Sequence, residues 1–356
     1  MKDKRHQGID LMRVICMLMI VLYHLQGHGG LVGSQQISAE NRTLLVILQS
    51  VYQVAVDGYA LISGYIGYTS RHKYRSLVML WLRVLFYSVG MTALIWLISP
   101  ATVSWASIRN AFFPLLKGQY WYFNAYVGCF VFFPFVRAAV DALSQKELRR
   151  TLSGIVLVFS VLPYVMRSDP LTTSGGNHAM WLLVLYALGA YFRKYQSFEN
   201  ASVGALAGAV ACAAVIQSSA GFVLQMIGGM LGGKTVTQWY FICHDSPTTL
   251  FLAAAMLALF SRLPFRCDSG MFRLLVSASF SVYLIHDHPL VRQHVIIPLA
   301  SRLTALPEMM LIPSVFLCGA AIYLVCAGID FLRERLFAVL RVRVWVDKAA
   351  GKLSWS

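Results

Sequence analysis

Arg13 and His24 lie in the first apolar segment of the chain, at the two ends of the stretch RVICMLMIVLYH. Eleven positions along an α-helix make three turns plus about 20°, so the two side chains share one helix face about 16 Å apart. An ionisable side chain inside a membrane-spanning helix costs at least ~2.5 kcal/mol at the bilayer centre unless it meets water or a partner. The pair therefore predicts a polar interior next to this helix.

The two residue types suit two different tasks. An arginine suits a phosphorylated ligand, because its planar fork bonds phosphate oxygens and it does not deprotonate. A histidine suits proton transfer, because an ordinary pKa of about 6.5 lets it accept a hydroxyl proton near neutral pH. In the alternative interpretation, Arg13 reaches the inner headgroups and His24 caps the outer end of the helix. Because the two residues share a face, we favour the functional interpretation.

The composition is that of an integral membrane protein, with 58% hydrophobic and 13% charged residues among 356. A helix needs roughly 20 apolar residues to cross about 30 Å of hydrocarbon. We predict an all-α polytopic bundle that forms a single domain over residues 1–356. Its ten spanning helices are predicted at Gly8–Leu25, Thr43–Ile66, Leu77–Ile98, Tyr120–Val140, Thr151–Met166, Ala179–Phe192, Ser202–Gln217, Pro247–Phe260, Leu274–His286 and Met309–Ile329.

The distribution of basic residues predicts the orientation. Ten crossings put both termini on one side, and most of the 30 Lys and Arg residues fall in the terminal segments and the alternate connections of that side. The positive-inside rule then predicts cytoplasmic termini and a multi-pass protein of the cell membrane. The net charge of +15 follows mostly from topology, and we expect no nucleic-acid partner because the basic residues are scattered over short segments.

Asp57 stands in the second apolar segment, within the stretch VDGYALISGY. A carboxylate inside a span is costly unless it is paired. We interpret Asp57 as the group that orients His24. A structural ion pair with Arg83 or Arg13 is an equally open alternative. The neighbouring Ser63-Gly64 pair is interpreted as a helix-packing site, because small residues mark close helix contacts.

Five stretches, taken in order, resemble the membrane-bound acyltransferase-3 family, whose members O-acylate cell-surface carbohydrates and related acceptors. The first two are the arginine, ten residues and histidine of helix one, and VDGYALISGY in helix two. The others are the aromatic stretch YWYFNAYVGCFVFFP, the late helix SVYLIHDHP and the exit DFLRERLF. The resemblance covers nearly the whole chain.

The resemblance implies an acyl-coenzyme A donor, most often acetyl-coenzyme A, that enters from the cytoplasm. It also implies an acceptor hydroxyl on a surface glycan or a lipid-linked sugar, with membrane lipids as the surroundings. Arg13, Arg83 and Arg75 are the candidates for binding the donor, although Arg75 also fits an ordinary cytoplasmic basic cluster. His24 would deprotonate the acceptor hydroxyl for attack on the thioester, or carry a transient acyl group.

His286 is the alternative base, and it shares a helix face with Tyr283 three residues earlier. In the competing interpretation His286 begins a wet loop, and for Asp287 and His288 we expect that loop. Trp121 enters its helix at the outer interface, where aromatic girdles are usual. Because aromatic faces can also stack on saccharides, Trp121 and Tyr283 are candidate contacts of the acceptor.

Two other classes of function compete with an enzyme. A transporter of a small anionic or sugar solute would also place Arg, Asp and His inside a bundle, but inverted repeats and Gly/Pro-broken helices in both halves are not evident. We rank the transporter second. A non-catalytic scaffold would not need Arg13 and His24 on one face. We expect no metal, because the seven cysteines contain no Cys-x-x-Cys pair.

Overall fold

The structure is a computed structural model that describes residues 6–70, 74–166, 168–169, 171–230 and 243–351. Regular structure within these ranges is helical, which confirms the predicted all-α class. The α-helices are α1 Gln7–Gly27, α2 Ala39–Tyr52, α3 Val54–Gly67, α4 Tyr74–Ile98, α5 Trp105–Phe112, α6 Trp121–Ala142, α7 Gln145–Val156, α8 Leu162–Met166, α9 Ala179–Lys194, α10 Val203–Met230, α11 Pro247–Arg262, α12 Gly270–His286, α13 Pro289–Val291, α14 Ile297–Leu303, α15 Glu308–Val339 and α16 Val342–Gly351. Two π-helical segments, Leu157–Val161 and Arg292–Ile296, continue α7 and α13.

Within the described ranges, seven helical stretches are long and apolar enough to cross a membrane, or eight if one bent pair counts as a single span. The bent pair joins Gly270–His286 to Pro289–Leu303 at 69°. Each of the ten predicted apolar segments falls on helical structure, although Thr43–Ile66 extends over α2 and α3, and Thr151–Met166 over α7, a π-helical segment and α8. The helices α9 and α11 have only 16 residues each. The polytopic class is therefore confirmed, whereas the count of ten and the cytoplasmic termini stay predictions.

The described helices form two compact units that alternate along the chain. The first unit takes the described residues within Met1–Ile20, Thr43–Arg71 and Gly128–Cys267. The second takes those within Val21–Arg42, His72–Val127 and Asp268–Ser356. The division falls within α1, so Arg13 belongs to the first unit and His24 to the second. A single domain over residues 1–356 stays a prediction.

Close packing of α3 against α9 organises the first unit. A Cβ atom added at Gly64 would overlap the backbone of Tyr186, and one added at Gly189 would overlap the backbone of Leu61. The two glycines therefore let the two helix backbones approach each other at reciprocal points, as small residues do between membrane helices. The Ser63 hydroxyl donates to the Tyr59 carbonyl at 2.9 Å, which agrees with a packing role for this stretch.

A buried charge cluster fastens α4 to α15 in the second unit. The Tyr87 hydroxyl donates to Asp330 Oδ1 at 2.7 Å, and Arg333 Nη2 donates to the same oxygen at 2.7 Å. All three side chains are buried. Because removing one partner would leave a buried charge uncompensated, this cluster fixes the relative position of the two helices near the stretch DFLRERLF.

The substitution Gly64→Ala tests the α3–α9 contact. The added methyl overlaps the α9 backbone, so we expect the free energy of unfolding to fall by about 1–3 kcal/mol. The matched control is Gly208→Ala in α10, where a Cβ would have nothing within 4 Å. That substitution should stabilise the helix by about 0.5–1 kcal/mol. Thermal unfolding in detergent measures both, and equal effects of the two substitutions would contradict the contact.

Candidate active site

A pair of histidines forms the centre of the site in the second unit. His24 lies in the last turn of α1, and His286 is the last residue of α12. His24 Nδ1 and His286 Nε2 are 2.9 Å apart. His286 Nδ1 lies 2.6 Å from the carbonyl oxygen of Val282, one helical turn earlier. The predicted base and its predicted alternative are therefore hydrogen-bonded to each other.

The Val282 carbonyl determines which ring nitrogens carry hydrogen. A carbonyl oxygen can only accept, so His286 Nδ1 must be the donor of that hydrogen bond. In a neutral His286 ring the Nε2 atom is then an acceptor, and His24 Nδ1 must donate to it. A neutral His24 consequently keeps an unprotonated Nε2, which is the atom that can take a proton from a ligand.

Asp287 supplies negative charge next to the pair. Its Oδ1 atom lies 3.6 Å from His24 Nδ1 and 3.6 Å from Arg292 Nη1. The side chain is 9% exposed, so water screens these charges less than it would at the surface. Asp287 therefore favours a positive charge on His24, and Arg292 compensates the buried carboxylate when the His24 ring is neutral.

His28 lies just beyond the end of α1 on the same side as His24. The two ring centroids are 4.8 Å apart, and His28 Nε2 is 3.8 Å from Asp287 Oδ1. Burial lowers the pKa of His28 from its ordinary value, while Asp287 raises it and Arg292 lowers it further. The ring is thus predominantly neutral near neutral pH.

A row of aromatic rings leads away from His286. Tyr283 lies 6.5 Å from the His286 ring and 6.5 Å from the Tyr122 ring, centroid to centroid. Tyr122 in turn lies 5.7 Å from Trp121 at the start of α6. Tyr120 is fully buried behind them, and its hydroxyl donates to the Leu284 carbonyl at 3.0 Å. The structure thereby connects Trp121 and Tyr283, both predicted acceptor contacts, to the histidine pair.

The expected wet loop after His286 is wrong for both residues it concerned. Asp287 is 8% and His288 2% exposed. The reason is the bend after α12, which turns the chain back so that His288 Nε2 lies 3.2 Å from both the Thr92 hydroxyl and the Ser88 carbonyl of α4. This contact fixes the turn that carries Asp287.

A cavity of about 460 Å³ lies in the same unit, between α4 and the end of α15. Arginines dominate its polar lining, namely Arg83, Arg333, Arg335, Arg341 and Arg343, together with Glu334. Arg333 is committed to Asp330, whereas the others supply positive charge. Arg83 and Thr92 are nine residues apart in α4, a rise of about 14 Å. Arg83 of the cavity and the contact of Thr92 with His288 are thus separated by roughly this distance along α4.

Two of the predicted residues have other partners. Arg75 forms an ion pair with Asp347 of α16, and the cavity is lined by Arg83 without Arg75. Arg13, in the first unit, bonds Asp10 Oδ1 at 3.3 Å and is 32% exposed. Arg75 and Arg13 remain predicted contacts of the acyl donor, and no observed contact supports this role for either residue.

Asp57 also lies in the first unit, fully buried, with Oδ1 3.7 Å from His244 Nδ1. Burial lowers the pKa of His244 to about 4, so its ring is neutral at pH 7. The carboxylate that the structure brings to His24 is Asp287. Asp57 as the orienter of His24 stays a prediction.

Several residues in or beside these two sites were not predicted from the sequence. His28 follows His24 by four positions, a spacing that brings two side chains to one helix face. Arg292 follows the HDHP stretch, and the run RVRV carries Arg341 and Arg343. The His-x-x-x-His spacing was a usable signal, whereas basic residues at a helix end are too common to indicate a cavity.

A family model described as an acyltransferase domain matches residues 6–330. The match contains both histidines of the pair, together with Asp287 and Arg83. No curated protein and no solved structure matches the chain.

Proposed function

Because the chain belongs to the acyltransferase-3 family, we propose that it transfers an acyl group, most often acetyl, from acyl-coenzyme A to a sugar hydroxyl. The acceptor is a cell-surface glycan or its lipid-linked precursor. The protein would lie in the cell membrane as a multi-pass protein, with its termini and its donor on the cytoplasmic side. The His24–His286 pair is the observation that carries this proposal.

His24 acts as the general base in this scheme. Its Nε2 accepts the proton of the acceptor hydroxyl, and the oxygen attacks the carbonyl carbon of the thioester. The carbon–sulfur bond breaks, and the thiolate of coenzyme A takes the proton back from His24. During this cycle the imidazolium of His24 is stabilised by Asp287 at 3.6 Å and by the hydrogen bond to His286. The same Nε2 could instead carry a transient acyl group.

His286 and Asp287 act through His24 in this scheme and are positioning residues. The Nδ1–H of His286 is held by the Val282 carbonyl at 2.6 Å. His286 therefore offers a fixed acceptor to His24 and keeps the unprotonated Nε2 of His24 available for the hydroxyl. A defined tautomer in a defined orientation is what proton transfer within hydrogen-bond reach requires.

The arginine-lined cavity supports a donor with several phosphates. Guanidinium groups bond phosphate oxygens in a bidentate manner and keep their charge in a partly buried setting. Coenzyme A carries its phosphates at one end and the thioester at the end of an extended arm. With the phosphates near Arg83, that arm would run along α4 for the rise of about 14 Å toward His288 and the histidine pair.

The aromatic row supports a saccharide acceptor. Trp121, Tyr122 and Tyr283 present successive rings that end beside His286. Flat aromatic faces stack on the C–H surfaces of sugar rings, and the tyrosine hydroxyls can bond sugar hydroxyls. Such a row would hold a sugar with one hydroxyl directed at His24.

The substitution His24→Ala tests the chemistry. We expect release of coenzyme A from acetyl-coenzyme A by the purified protein in detergent to fall by about 10²–10⁴-fold, the usual contribution of a general base. Binding of coenzyme A should be retained. The control is His178→Ala, an exposed histidine of the first unit. Unchanged turnover in His24→Ala would contradict the role of His24. If the wild-type protein releases no coenzyme A with any of the sugar acceptors tested, the result would favour a transporter over an acyltransferase.

The substitutions Arg83→Gln and Arg343→Gln test the donor site. Each removes one charged hydrogen-bond donor from the cavity, so we expect the KM for acetyl-coenzyme A to rise at least about tenfold, since such bonds contribute roughly 1.5–3 kcal/mol. The kcat should change little, because the chemistry lies elsewhere. Arg273→Gln is the matched control, an exposed arginine of α12 that does not line the cavity. Equal KM values in all variants would contradict this donor site.

A further inference from the structure

His24, His28 and Asp287 form a cluster with the composition of a metal site. One ligand atom from each of the three residues lies within 4.8 Å of the other two. Asp287 Oδ1 is 3.6 Å from His24 Nδ1 and 3.8 Å from His28 Nε2. We propose that these residues bind one transition-metal ion of the zinc class, and that the bound ion switches off His24 as a base.

The two separations from Asp287 Oδ1 suit an ion better than direct hydrogen bonds. Zinc binds nitrogen and oxygen at about 2.0–2.2 Å, so two ligands of one tetrahedral ion lie about 3.4 Å apart. The two observed separations exceed that value by a few tenths of an ångström. Hydrogen bonds need about 2.7–3.2 Å, and Asp287 Oδ1 has no hydrogen-bond partner among the described residues. This oxygen is a buried polar atom that faces the two rings without bonding either.

The ligand types select the class of ion. Two imidazoles and one carboxylate suit zinc, nickel and copper, whereas magnesium and calcium prefer all-oxygen sites. The Asp287 side chain is 9% exposed, and His28 is 41% exposed. The buried carboxylate strengthens the attraction to a cation, and the exposed ring leaves a path for the ion. Three protein ligands with a fourth position for water is the arrangement of open zinc sites.

The backbone holds the three ligands in fixed places. His24 is in the last turn of α1, and His28 follows one residue after that helix ends. Asp287 is the C-cap of α12, and its backbone N–H donates to the Tyr283 carbonyl at 3.1 Å. Because each ligand stands at or beside the end of a helix, the cluster is largely formed before an ion arrives.

Arg292 opposes the ion. Its Nη1 atom lies 3.6 Å from Asp287 Oδ1, and its side chain is 37% exposed. A guanidinium at this distance competes with a metal for the same carboxylate. A long, partly exposed arginine can turn into solvent, so the competition lowers the affinity without closing the site. Removal of this arginine should therefore leave metal binding as tight as in wild type, or tighter.

Metal binding at His24 Nδ1 changes the tautomer of the ring. The nitrogen must give up its hydrogen to offer a lone pair, and the neutral ring then carries its hydrogen on Nε2. The hydrogen bond to His286 is lost, and Nε2 can no longer accept a proton from a hydroxyl. The inhibition thus rests on the proposed function, whereas binding of the ion does not.

Zinc titration of the full chain in chelator-treated detergent tests the site by calorimetry. Wild type and His178→Ala should bind one ion with the same affinity, and His28→Ala should bind it at least about tenfold more weakly, since loss of even outer-shell groups costs 10–100-fold. Asp287→Asn should resemble His28→Ala. Arg292→Gln alters the same carboxylate environment without removing a ligand, so it should bind at least as tightly as wild type.

Binding of Co²⁺ provides a second measurement of the site that does not depend on the heat recorded by calorimetry. The visible absorption of bound Co²⁺ should appear in wild type and be lost in His28→Ala. Equal zinc affinities of wild type and His28→Ala, or equal loss in Arg292→Gln and His28→Ala, would overturn the metal site.

Release of coenzyme A in the presence of zinc tests the switch. His28 takes no part in the proposed transfer, so His28→Ala should keep its turnover and need at least about tenfold more zinc for inhibition. Zinc that binds wild type without slowing it would overturn the switch. A metal-free wild type that binds zinc but transfers no acyl group would overturn the proposed function and leave the metal site standing.

Discussion

The hydrogen bond between His24 and His286 is the interaction on which the candidate site depends. It joins the end of α1 to the end of α12, and the Val282 carbonyl gives it a direction. Through it, a backbone acceptor in one helix determines which nitrogen of a ring in another helix is free to take a proton. Asp287, one residue further along, adds the charge that stabilises the protonated ring. The bend after α12 keeps that carboxylate buried.

The buried acids of the structure fall into two kinds. Asp330 Oδ1 is bonded directly by Arg333 and Tyr87 at 2.7 Å, and such direct bonds hold helices together. Asp57 and Asp287 face their partners at 3.6–3.8 Å instead. A buried carboxylate without a direct hydrogen bond costs stability, which is the kind of cost that functional sites carry. Asp287 differs from Asp57 in facing two rings and a guanidinium at once, which makes it the stronger candidate for chemistry.

The sequence predicted the helices well and the partnerships poorly. Apolar runs define spans through a local property, so each predicted segment falls on helical structure. The spacing of Arg13 and His24 singled out a histidine that lies 2.9 Å from His286 in the structure. Partners depend on how distant helices meet, which one sequence does not encode locally. Asp287, the carboxylate beside His24, was therefore missed, and the pairing of Asp57 with His24 stays a prediction. Asp287 and His288 were expected to be solvent-exposed because both side chains are polar. The bend that buries them depends on packing against α4, which is a long-range contact.

The tautomer of His24 is the central claim, and ¹⁵N NMR of histidine-labelled protein in detergent measures it directly. His24 is assigned by the signal that disappears in His24→Asn. The account predicts, near neutral pH, a hydrogen on Nδ1 and an unprotonated Nε2 for His24, with the preference lost in His286→Ala. A wild-type His24 that carries its hydrogen on Nε2, unaffected by His286→Ala, would contradict the account.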